Sequence, residues 1–123
     1  MSTIKANTLL HSDGSTTTQP SIPALDKRMA KAWVNFNGTG TVAIRDDYGV
    51  SSITDYGTGD FNINFSTNMS NNSYTFSCAG SYVTIGSVNA QSEITTSALR
   101  LRTTDGAGNN GDKEFVCVQI FSS

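Results

Sequence analysis

The chain has 123 residues and a formal net charge of −2, with no basic cluster of the kind a nucleic-acid face needs. Ser, Thr, Asn and Gly supply 54 of those residues; Ser, Asn and Gly compete with helical backbone bonding and Thr fits a pleated sheet, so the mix disfavours a helical protein. No apolar run approaches the ~18 residues that cross a membrane and the first residues lack a signal-type apolar core, so the expectation is synthesis in a cytoplasm without membrane insertion.

In chain order, residues 2–10 alternate loosely, with Ile4, Ala6 and Thr8 on one face, as a short strand or an extended arm. Asp13-Gly14 marks a turn, and the stretch holding Pro20 and Pro23 reads as linker because proline restricts the backbone and denies a strand its hydrogen bonds. Residues 23–31 are the one helix candidate, with Ser21 as a cap or Pro23 in the first turn. Leu25, Met29 and Trp33 fall at i, i+4 and i+8, a narrow apolar stripe. So short a helix needs a surface to lie on, either its own domain or the same stripe from other copies.

From Ala32 onward the pattern is that of short strands. The turn Asn37-Gly38-Thr39-Gly40 separates residues 34–36 from 42–44, Arg45-Asp46-Asp47-Tyr48-Gly49 reads as a second turn, and Tyr56-Gly57-Thr58-Gly59-Asp60 as a third. Phe61, Ile63 and Phe65 alternate with Asn62 and Asn64, the period of a half-buried antiparallel strand. Tyr74, Phe76 and Cys78, then Leu99 and Leu101, repeat that alternation. The last strand differs: Phe115, Cys117 and Phe121 lie on one face, Val116, Val118 and Ile120 on the other. Both faces are therefore expected to be covered, in the centre of a sandwich or at a subunit interface. The fold class expected is all-β: an antiparallel β-sandwich over residues 32–123, preceded by an extended arm with one short helix over residues 1–31.

The run AWVNFNGTGTVAIRD over 32–46, followed by Val50-Ser51-Ser52-Ile53-Thr54-Asp55 and by GTGDFNINF over 57–65, resembles a module of bacteriophage tail-fibre proteins. The leader Met1-Ser2-Thr3-Ile4-Lys5-Ala6-Asn7 and the stretch 26–32 resemble the start of short members, so the likeness covers residues 1–66. The resemblance implies a homotrimer in the virion tail, held to other tail or baseplate proteins through residues 1–31, with the β-domain facing outward toward the host. The apolar stripe and the doubly apolar last strand fit an oligomer independently. They make Leu25, Met29, Trp33, Val116, Val118 and Ile120 candidates for the trimer interface.

Chemistry in the rest of the chain is sparse. His11, the single histidine, lies in the leader, away from any strand–loop site; three copies meeting on a trimer axis would make it a metal ligand, the weak alternative to a plain surface residue. Asp46 and Asp47 are adjacent and would point apart on a strand, which spoils a glycosidase pair. No cofactor and no enzyme activity are expected. Asp105, Asn109 and Asn110 stand in a Gly-rich loop that lacks calcium-loop spacing. With the turn tyrosines Tyr48 and Tyr56 they are the receptor-binding candidates, a host-surface glycan being the candidate ligand. Cys78 and Cys117 are expected to be free thiols. Two alternatives stay open beside the fibre: an independent lectin-like module, and a baseplate or capsid fitting that binds only virion proteins.

Overall fold

Alternation of apolar and polar residues becomes eight strands in two four-stranded antiparallel sheets. The structure is a computed structural model, which describes residues 2–16, 18 and 21–123. The strands are β1 (Ala32–Asn37), β2 (Ala43–Tyr48), β3 (Val50–Gly57), β4 (Asp60–Phe65), β5 (Thr75–Gly80), β6 (Ile85–Ser87), β7 (Ala98–Thr104) and β8 (Val116–Phe121). The front sheet has the order β2-β1-β8-β5 and the back sheet β3-β4-β7-β6. The chain crosses from front to back at Gly49, whose φ of +71 favours glycine; a Cβ there would stand 2.9 Å from the Lys31 carbonyl.

The core follows from strand period. Ala32, Val34 and Phe36 of β1, and Val116, Val118 and Ile120 of β8, point at Phe61, Ile63, Leu99 and Leu101 of the back sheet. Phe36 and Phe61 meet edge to face, centroids 5.2 Å apart. Each buried Val, Ile, Leu or Phe in this core contributes on the order of 1.5–3 kcal/mol by leaving water. Every residue of the main cluster lies between Ala32 and Ile120.

Because all pairings are antiparallel, the loops sort to two ends. One end holds residues 38–42, 58–59, 81–84 and 105–115, tied by Gly38 N–H to Lys113 O, Ser81 N–H to Phe115 O and Gly59 N–H to Asp112 Oδ1. The other holds the arm junction, Gly49, residues 66–74 and 88–97, and Ser123, tied by Lys31 N–H to Ile120 O, Met69 N–H to Thr96 O and Ser70 Oγ to Ser123 O.

Two expectations need correction. The helix α1 spans only Pro23–Asp26, with Ile22 at the N-cap position and no side-chain cap from Ser21. It buries no residue, and without a surface beneath the stripe it stops after one turn. Residues 45–48 are not a turn but the second half of β2, an edge strand whose register shifts between Asn35 and Phe36 of its partner. Its charges sit there because an edge strand has little to bury. Of the short strand and the extended arm left open for residues 2–10, the strand does not form. The linker expected at Pro20 lies outside the described residues.

Candidate functional site

The outward face of the back sheet holds a connected network of charged and amide side chains. β7 alternates Leu99 and Leu101 inward with Arg100 and Arg102 outward, and β4 sets Asp60, Asn62 and Asn64 beside them. Arg100 grips Asp60 with two hydrogen bonds, Nε to Oδ1 at 3.0 Å and Nη2 to Oδ2 at 2.9 Å. Arg102, 7% exposed, donates Nη1 to Glu93 Oε2 at 2.7 Å and Nη2 to Oε1 at 2.8 Å. Arg102 Nε also lies 3.3 Å from Asp60 Oδ1, so four charges form one network. Tyr56, 52% exposed on β3, lies under the Arg100 guanidinium at 4.4 Å. Asn62 Nδ2 donates to Asn64 Oδ1, and Asn64 Nδ2 to Ser52 Oγ and Thr54 Oγ1.

This network fixes protonation. The hydrogen bond from Arg102 holds the Glu93 carboxyl down at about 2 against the desolvation that opposes it. The hydrogen bond from Arg100 lowers Asp60 in the same way. Both carboxylates stay charged near neutrality, so neither is poised as a general acid. The face offers amides, hydroxyls, a guanidinium and one exposed aromatic ring, a set suited to hydrogen-bonded recognition.

Tyr48 and Tyr56 do not share a site. Tyr48 ends β2 at the arm end, opposite Trp33 in the register, and lines a cavity of ≈ 550 Å³ with Thr18, Lys31, Gly49 and Met69. Tyr56 ends β3 at the loop end, where Asp105, Asn109 and Asn110 also lie. Asp105 is occupied within its own loop: Oδ1 accepts from the backbone N–H of Ala107 and Asn109, and Oδ2 from Asn109 Nδ2. Those backbone hydrogen bonds lower its pKa. Asn110 bridges to Thr104.

The residues marked for subunit contact divide as well. Val116, Val118 and Ile120 are at most 1% exposed and face the sandwich core, so they offer no surface to another chain. The period of β8 sets Cys117, Gln119 and Phe121 outward instead. Leu25 and Met29 are 40% and 41% exposed, and Trp33 is half-buried on the outward face of β1. His11 Nδ1 lies 3.2 Å from Asp13 Oδ1, and among the described residues no three His, Cys, Asp or Glu converge as metal ligands.

Cys78 and Cys117 are free and sit on neighbouring strands, where the register pairs Cys78 with Val118 and Cys117 with Ala79. They therefore point to opposite faces. Burial pushes the Cys78 thiol up to about 11.

Sequence reasoning missed the four-charge network, although Arg100 and Arg102 alternating with two leucines signalled a charged outward face. Tyr82, a tyrosine candidate that the sequence ranks behind the turn residues Tyr48 and Tyr56, holds a left-handed φ of 57 and stands 97% exposed at the loop end. Buried Tyr74 is a structural residue, its hydroxyl donating to the Thr95 and Ala98 carbonyls.

No protein-family model, curated protein or solved structure matches the chain. No helix among the described residues is long and apolar enough to cross a membrane.

Proposed function

We propose that the chain is a non-catalytic structural protein of a bacteriophage tail: a short homotrimeric fibre that joins other tail proteins through residues 1–31 and meets the host surface with its β-domain. The observation that carries this reading is the polarity of the domain. The arm leaves from one end, and the Gly-rich loops with Tyr56 and Tyr82 gather at the opposite end. An element anchored at one end and exposed at the other is what attachment requires. The run over 32–46 and its continuation to residue 65 support the same assignment by their likeness to tail-fibre modules. The exposed Ile22, Leu25 and Met29 of the arm want a partner surface.

Light scattering behind a sizing column tests it. The full chain is expected at three times the chain mass. A folded single-chain species at micromolar concentration would sink the fibre.

A second reading rests on the back-sheet face. Tyr56 stacked on Arg100, with Asn62, Asn64, Ser52 and Thr54 alongside, is chemistry that fits a carbohydrate. A lectin-like module acting without a virion would be a monomer or dimer that retains glycan on an array, and would lose it on Tyr56→Ala.

A further inference from the structure

Four edge strands bound the two sheets, and three of them are blunted. β2 carries Arg45, Asp46 and Asp47 and a register shift. β3 carries Asp55 and shifts register near both its ends. β6 is three residues long. Charges, bulges and shortness are the features that keep an open edge from pairing with another chain. β5 has none of them. Thr75-Phe76-Ser77-Cys78-Ala79-Gly80 holds no charge and no proline, and pairs with β8 in one unbroken register over six residues. On its other side no strand lies among the described residues.

The same chain contains a segment suited to that edge. Residues 2–10 are exposed throughout and belong to neither sheet, with Ile4 88% and Leu9 65% exposed. When extended they set Ile4, Ala6 and Thr8 on one side and Lys5 and Asn7 on the other, the alternation a sheet edge selects. Charge favours the encounter between copies: residues 1–33 carry four basic and two acidic side chains, the remainder four basic and eight acidic. The arm also passes the start of β5, where Lys27 shares a cavity of ≈ 260 Å³ with Thr75 and Phe121. From Lys27 the chain back to Leu10 spans up to about 55 Å when extended, enough to reach a neighbour.

We propose that residues 3–10 of one copy add as a fifth strand to the free edge of β5 in a second copy. This rests on the reading of the protein as a self-assembling fibre and names the contact that would hold it together. The added strand would satisfy backbone groups on both chains and give the apolar side chains of the arm a surface.

Amide hydrogen exchange on the full chain, with solution mass measured on the same samples, tests it. Protection is expected along residues 3–10 and at the outward-pointing amides of β5. Ile4→Asp alters a side chain exposed in the single chain, and Ser77→Asp charges the outward face of β5. Each is expected to lower protection at both segments by about 100-fold, leaving β4 and β7 unchanged. A multimer whose residues 3–10 exchange freely overturns the proposal and leaves the fibre standing. Protection of β5 that survives Ile4→Asp also overturns it, since another strand then fills the edge. A single-chain mass overturns both proposal and fibre.

Discussion

Arg102 reaches from the second-to-last strand to Glu93, and the fork of its guanidinium meets the carboxylate at 2.7 and 2.8 Å. Glu93 belongs to a 3₁₀ turn, Gln91–Glu93, in the long connection from β6 to β7. The pair therefore fastens that connection across the outward face of the back sheet. Glu93→Ala leaves Arg102 buried with only Asp60 beside it, and removing one partner of a buried pair costs more than the pair itself is worth. A loss of about 2 kcal/mol is expected, read as a lowered urea midpoint with an unchanged slope.

The same network sets the acid limit. Glu93 and Asp60 have folded-state pKa values depressed below their unfolded ones, so the folded protein holds fewer protons and their stabilisation is complete above the unfolded values. It falls away as pH drops from ~4.3, the ordinary Glu value, through about 2 for Glu93. Thermal midpoints are expected to be flat in these two groups above pH 5 and to decline below it. Glu93→Gln should flatten part of the decline; an identical profile would remove Glu93 from the account.

Glycine substitutions separate strain from crowding. Gly49→Ala places a Cβ 2.9 Å from the Lys31 carbonyl at a φ of +71, so strain and collision add. Gly40, at φ +58, has open space around it. Gly40→Ala is expected to cost about 1 kcal/mol and Gly49→Ala two to three times as much, roughly, by denaturant titration.

The cysteines give a test of side-chain direction. Cys117 faces outward on β8 and Cys78 faces inward with its thiol raised by burial to about 11. In the native protein Cys117 is expected to react with a thiol reagent several-fold faster. Oxidation is expected to yield no intramolecular disulfide, since side chains on opposite faces of a sheet miss the bridging geometry. Equal rates would mean that β5 is loose or the register is shifted.

Much of the sandwich was legible because burial writes itself at period two. Phe61, Ile63 and Phe65 announced β4, and Asn37-Gly38 announced the first hairpin. Errors arose where local signals were outvoted. Arg45-Asp46-Asp47-Tyr48 looked like a turn, yet β1 supplies a hydrogen-bonding partner that charge does not forbid on an edge. Leu25, Met29 and Trp33 matched a helical stripe, yet Trp33 is the second residue of β1. The doubly apolar β8 suggests cover on both faces, and the sandwich covers one: Cys117, Gln119 and Phe121 face outward. Its core face is the Val116, Val118, Ile120 side, while Phe115 sits under the Arg45 guanidinium at 5.1 Å. The Asp60–Arg100 contact could not be read, because it joins residues 40 positions apart and depends on strand order.

Strand β8 lies between β1 and β5 and pairs with both. During synthesis neither neighbour can complete the front sheet until residues 116–121 have left the ribosome. Until then β1 has only β2 beside it in the front sheet and β5 has no strand partner. Closure joins the two ends of the domain at its last step, a topology that folds slowly and gives a nascent chain ample time to meet its siblings.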